Sequence, residues 1–347
     1  MSLLLSNHEV GVAQERRQTD SLPPLPDPVG RAGMYAGVSH GKLLCMGGAN
    51  FEGTMPWQDG VKTWHDDIFV FDEEEGDWQI LAHAMPDAIG YGVSVTYDEK
   101  VWLVGGSNSV EHLSTLWSAE YCGGQIRWVK GPSLPTSVAN MSGSIVGSLL
   151  IVVGGMETTT SMPLKVCYGI DLEDIEQGWI SLPSWPGPER IFPVCGVTDK
   201  KLYMFSGENS TENAKGIKHR HILQDAYSFE PRKTASGWDG KWTKLTDIPR
   251  GMSAGANPAP LLSDGRFKLW GGVDRITALH KDPATHPGMP KTVLLYAPET
   301  DSWEYDSANS TSQGRVTLPT AVFRDKVYYI SGEVKPGIRE NSIVPAE

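Results

Sequence analysis

The chain has 347 residues, 42 of them acidic and 30 basic, for a formal charge of −12. A surplus of that size argues against nucleic acid or an anionic membrane as partner, because both carry the same sign of charge. Glycine and proline supply 38 and 24 residues while 39% of the chain is hydrophobic, so a turn-rich globular protein with a large core is expected.

At the N-terminus only Leu3, Leu4 and Leu5 form an apolar run, shorter than the core of an export signal. Further along, one element recurs six times: a basic or polar residue, four or five apolar β-formers, then Gly-Gly or Ser-Gly. The copies are KLLCMGG, KVWLVGG, SLLIVVGG, KLYMFSG, RFKLWGG and KVYYISG, ending at Gly48, Gly106, Gly155, Gly207, Gly272 and Gly332. Most are followed by a second short strand, as in DDIFVFD or DAYSFEP, and then by Trp78, Trp128, Trp179, Trp242 or Trp303. The third copy is part of the longest nearly apolar stretch, Ile145 to Met156, but Gly147, Ser148, Gly154 and Gly155 make it too short and polar to cross a bilayer. Cys45, Cys122, Cys167 and Cys195 show no zinc or redox spacing and are expected as buried small hydrophobes.

The glycines are 49 to 65 residues apart, and 63 residues separate Gly332 from Gly48 through the chain ends. Equal spacing that includes the wrap-around predicts a closed ring. The class is therefore all-β: a single domain over 1–347 forming a six-bladed β-propeller of kelch type. The last blade begins at about residue 315 and runs to 347, and the N-terminal segment, about 1–27, is expected to complete it with an outer strand.

Strands alternate in direction, so the loop after each glycine pair and the loop entering each innermost strand emerge on one face. That face is predicted to carry Asn50, Phe51, Ser107, Asn108, Glu157, Glu208 and Asn209, with Arg31, Tyr91, Asn140, Arg190 and Arg315 from the entering loops. The stretch SGEVKPGIRE stands apart. Glu333 follows the Ser-Gly directly, and the Pro336-Gly337 turn returns Arg339 toward it. A glutamate suits proton transfer to or from a hydroxyl, and an arginine suits capture of a carboxylate. The same spacing also suits an ordinary ion pair closing a loop.

SGEVKPGIR resembles the GE-x-KPG-x-R segment of the bacterial N-acetylneuraminate epimerases, which are sialic acid mutarotases, and GGANFEG (Gly47 to Gly53) resembles their GGANF blade. The two segments occur here in the reverse order, as in cyclically permuted relatives, yet they stay adjacent across the joint of a closed ring. The resemblance implies interconversion of the α and β anomers of N-acetylneuraminate, with Glu333 as proton acceptor and Arg339 on the C1 carboxylate. Arg31, Asn50, Phe51, Tyr91, Asn108, Arg190 and Arg315 are the accompanying substrate-binding candidates. It implies an acidic sugar as the only small-molecule partner, with no metal or organic cofactor, no nucleic acid and no membrane insertion. It points to the periplasm; with no export signal in view the cytoplasm stays open, as does pairing into a homodimer. The competing readings are a non-catalytic propeller binding a protein or glycan, a mutarotase for another acidic sugar, and a copper radical oxidase, for which no tyrosine, cysteine and histidine set assembles. The histidines of His219-Arg220-His221 and His65-Asp66-Asp67 are expected in solvated loops.

Overall fold

The computed structural model describes residues 21–235, 237–310 and 312–347. The apolar runs become the second strands of six sheets: Lys42–Met46, Lys100–Val104, Leu149–Val153, Leu202–Phe205, Phe267–Trp270 and Lys326–Ile330. They are buried on both faces because each sheet is sandwiched between two others, which is why the sequence is continuously apolar rather than alternating. The fold is the six-bladed propeller that the repeat predicts.

Blades 1 to 4 are four-stranded and antiparallel, with Tyr35–Ser39, Val93–Tyr97, Ser142–Val146 and Val194–Val197 as first strands. Blade 5 keeps three strands, Phe267–Trp270, Val293–Ala297 and Ser302–Tyr305. Its first strand is reduced to one bridge, Leu261 to Phe267, since Pro258 and Pro260 have no N–H to donate. Blade 6 also has three among the described residues: Thr320–Phe323, Lys326–Ile330 and Ile343–Pro345. The outer strand expected from the N-terminus falls mainly on residues 1–20, outside the described residues. The next residues along the chain are tied to blade 6: the Leu25 N–H donates to the Asn341 carbonyl at 2.8 Å, and Asn341 Nδ2 returns a bond to the Leu25 carbonyl at 3.0 Å.

Six apolar cores fill the gaps between blades. The terminal joint is built like the others, with Met34, Leu43, Phe69 and Phe71 against Phe323, Tyr328, Ile330 and Ile343. The recurring tryptophans seal these gaps. Each indole N–H donates to a carbonyl in the loop entering its own blade, Trp78 to Pro23, Trp128 to Ala84, Trp179 to Pro132, Trp242 to Pro183 and Trp303 to Thr246. Cys45, Cys167 and Cys195 are buried as expected, whereas Cys122 is exposed at the outer edge, where its strand meets the hairpin turn.

Two circles of backbone hydrogen bonds surround the axis. Gly33, Tyr91, Asn140, Phe192, Ala254 and Thr317, one per blade, all adopt positive φ between 51° and 67°. Each N–H donates to the carbonyl of its counterpart in the preceding blade, and the Gly33 bond to Thr317 closes the circle, at distances of 2.7 to 3.0 Å. The second circle runs in the opposite sense. The second member of each glycine pair, with φ of 75° to 104°, donates to a loop carbonyl of the following blade, from Gly48 to Ile89 round to Gly332 to Arg31. A side chain at Gly332 would bring its Cβ within 2.9 Å of the Leu318 Cβ, so the sequence there is restricted to glycine.

Candidate active site at the channel mouth

In every blade the residue after the glycine pair forms an antiparallel bridge with the residue just before the inner circle: Ala32–Ala49, Gly90–Ser107, Ala139–Met156, Ile191–Glu208, Ser253–Val273 and Val316–Glu333. Six equivalent positions are thereby held beside the axis by paired backbone hydrogen bonds. Two of the six carry carboxylates, Glu208 in blade 4 and Glu333 in blade 6.

Glu333 lies on a short hairpin, Glu333–Lys335 with Ile338–Arg339, turned by Pro336 and Gly337 as the sequence suggests. Arg339 Nη2 is 2.9 Å from a Glu333 carboxylate oxygen; the two side chains are 2% and 18% exposed. Arg339 Nη1 donates to the Gly337 carbonyl at 2.7 Å, and its guanidinium lies 4.8 Å from the Phe51 ring centroid. Burial pushes the Glu333 carboxyl above the usual glutamate range, opposed by Arg339, the Gly337 N–H and Lys62. The hairpin is wedged against blade 1, where Gly337 meets Pro56 and Trp57. Beside it, Lys62 sits over Tyr91 and Trp64, 4.8 and 5.4 Å from their centroids, and those two rings meet edge to face at 5.4 Å.

Of the predicted site residues, the structure gathers Glu333, Arg339, Phe51 and Tyr91 at the mouth. The others are placed differently. Arg31, Arg190 and Arg315 are braces inside the seams between blades. Each donates to the carbonyl of the first residue of its own glycine pair, Gly47, Ser206 or Ser331. Their other bonded donors go to Asp27 and Asp67, to Asp225 and the Pro188 carbonyl, and to Ser342 and Glu340. An aromatic ring supports each one, Phe69, Trp185 with Tyr227, and Trp270. Buried, with their terminal nitrogens engaged and the Nε of Arg190 and Arg315 shut away without a partner, they present no open fork at the mouth. Asn50 is fully buried, donating to Asp27 and the Gly30 carbonyl while bonded to His65. Asn108 shapes its own loop by accepting from the Val110 and Glu111 N–H groups.

Lys62 and Trp64 carry no repeat signature, and sequence reasoning passed them over. The pairing of Glu208 also went unread. Arg220 grips it bidentately at 2.7 and 2.6 Å from the hairpin Glu208–Glu212 with Lys218–Ile222. The signal was present, since Ser-Gly-Glu occurs at both 206–208 and 331–333. His219 and His221 are exposed and bonded to Asn213 and Thr211 but lie on the strand Lys218–Ile222 rather than in a loop, and His65 is half-buried against Asn50 rather than solvated. Asp66, Asp67 and His83 come together as potential metal ligands among the described residues, with Asp67 engaged by Arg31 and His83 by Asp66.

The inner circle surrounds a cavity of about 60 Å³, room for a water or two rather than a sugar. A larger cavity, about 670 Å³, lies in the seam between blades 5 and 6, lined by Trp270, Arg315, Tyr329 and Glu340 among others.

The model of the N-acetylneuraminate epimerase family matches residues 9–126 and 131–279. The chain belongs to that family. It is 27% identical over 229 residues to the N-acetylneuraminate epimerase of Haemophilus influenzae strain PittEE, covering 60% of this chain and 56% of that protein. It is 28% identical over 233 residues to the N-acetylneuraminate epimerase of Pasteurella multocida strain Pm70, covering 60% and 56%. A shorter match to that of Salmonella enteritidis PT4 strain P125109 reaches 38% over 104 residues, 26% of each chain. The chain thus aligns with little more than half the length of these curated epimerases. The solved structure of YjhT superposes with a TM-score of 0.66 at 16% identity, covering 93% of this chain and 96% of that one, and shares the propeller fold. The family match stops at residue 279, so the roles of Glu333 and Arg339 rest on the geometry of their own blade.

Proposed function

We propose that this member of the epimerase family is a mutarotase for N-acetylneuraminate or a closely related acidic sugar. The observation that carries the reading is a glutamate with an upward-shifted carboxyl, anchored by an arginine beside a channel too small to admit the sugar. The reaction asks little more. Glu333 takes the proton of the anomeric hydroxyl, the electron pair left on that oxygen forms the carbonyl, and the bond from the anomeric carbon to the ring oxygen breaks. The ring oxygen acquires a proton from solvent or from Glu333. Rotation about the bond to the new carbonyl followed by the reverse steps closes the ring on the opposite face, and every proton is returned. General acid–base catalysis supplies about 10² to 10⁴ in rate, enough to matter for a ring opening that already proceeds in water. The half-buried Trp64 and Tyr91 offer apolar surface for the C–H faces of a sugar.

The test is one-dimensional proton NMR on freshly released α-N-acetylneuraminate. The wild type is expected to speed decay to the β anomer, with Glu333→Gln losing about 10² or more of that acceleration. Wild-type decay at the spontaneous rate would remove sialic acid as the substrate.

A further inference from the structure

The cation that the family resemblance assigns to the sugar carboxylate is already spent. The Arg339 side chain is 2% exposed, with one terminal nitrogen on Glu333, the other on the Gly337 carbonyl, its Nε buried without a partner, and a face over Phe51. A substrate carboxylate gripped by that fork would have to displace Glu333, the proposed base. Lys62 stands in the opposite condition. It is half-buried, it has no ion-pair partner among the described residues, and its ammonium rests between the Tyr91 and Trp64 rings. Aromatic faces stabilise an ammonium without neutralising it, so its full charge is available to an incoming anion. Its location is set by the ring: Tyr91 is a member of the inner circle, and the Glu333 hairpin packs on the same blade-1 loop that carries Lys62, with Gly337 against Pro56 and Trp57.

We infer that Lys62 binds the carboxylate of the acidic sugar, while Arg339 is a positioning residue for Glu333. One ligand then spans the two groups, its acid on Lys62 and its adjacent anomeric hydroxyl on Glu333, which selects sugars whose carboxylate is borne by the anomeric carbon. The identity of the sugar rests on the mutarotase reading; the role of Lys62 as the anion site is separable from it.

The experiment titrates N-acetylneuraminate and its uncharged methyl ester into wild type, Lys62→Met and Lys62→Arg, following tryptophan fluorescence, beside mutarotation rates for both sugars. In the wild type the acid is expected to bind about tenfold or more tighter than the ester, the size of one charge-assisted hydrogen bond. Lys62→Met should lose that preference while binding the ester as before, which also reports an intact fold, and Lys62→Arg should keep it. Mutarotation with the preference unchanged in Lys62→Met would overturn the role of Lys62 and leave the enzyme reading standing. Carboxylate-dependent binding lost in Lys62→Met without any mutarotation would do the reverse. Binding of neither sugar to the wild type would overturn both.

Discussion

Glu333 is pulled two ways, and the balance gives its titration a definite sign. Burial favours the neutral acid, while Arg339, the Gly337 N–H and Lys62 favour the carboxylate, and burial prevails. A carboxyl that binds its proton more tightly in the folded chain adds stability at low pH, and that stability is lost as pH rises through its folded pKa. Thermal melts of wild type against Glu333→Gln should therefore turn against the wild type as pH climbs past the ordinary glutamate range. Identical differences at all pH values would contradict the shift. For catalysis the same displacement places the acid limb of kcat/KM above that range, because the base works only when ionised. Asp171 behaves in the opposite way. Burial raises it, but hydrogen bonds from Lys233, Ser148 and Trp238 outweigh burial and hold it at about 2. The stability it contributes is present at neutral pH and should fade as pH drops from the ordinary aspartate range toward 2, a loss that Asp171→Asn should not show.

The loop after the glycine pair is the element that changes from blade to blade. Blades 4 and 6 use Ser-Gly where the other four use Gly-Gly, and the serine is as informative as the glutamate beyond it. The Ser331 hydroxyl accepts the Arg31 N–H and has its one proton within reach of the Glu340 carbonyl at 2.6 Å and the Arg31 carbonyl at 2.9 Å, stitching blade 6 to blade 1 beneath the Glu333 hairpin. Ser331→Ala should cost about 1 to 3 kcal/mol by removing the partner of the Arg31 N–H and of the Glu340 carbonyl, read from denaturant midpoints. Much of this element was legible in the sequence. The glycines marked the period, the strands and the blade count because a φ of 75° to 104° beside a crowded axis leaves no alternative to glycine. Glu333 and Arg339 were legible because a Pro-Gly turn brings residues six apart together. Arg31, Arg190 and Arg315 were misplaced because an arginine in an entering loop has the same composition whether it points to solvent or into a seam. The difference lies in acceptors such as Asp225 and Ser342, far along the chain. Lys62 was invisible for the same reason: Tyr91, which supports it, comes from the next blade.

At the scale of the whole molecule, the two hydrogen-bonded circles treat the joint between the chain ends like every other joint. The Gly33 bond to Thr317 at 2.7 Å and the Gly332 bond to Arg31 at 3.1 Å stand where neighbouring blades elsewhere are covalently continuous. Hydrogen exchange should therefore find the Gly33 amide protected to the same degree as those of Tyr91, Asn140 and Phe192, which make the equivalent bonds at other joints. Selective exchange at Gly33 and Gly332 would show instead that the ring opens there first.

A helix has poles, because its peptide dipoles add along a line that ends. The inner circle has none: six peptide groups point the same way round a closed path, and the outer set circulates against them. The two circles therefore add no pole of their own at the channel mouth. Polarity at the mouth comes from side chains and from local loop groups such as the Gly337 N–H and carbonyl. One scaffold of this kind can present an acid, a base or an apolar wall by changing the residue next to a glycine pair, without touching the ring that holds it.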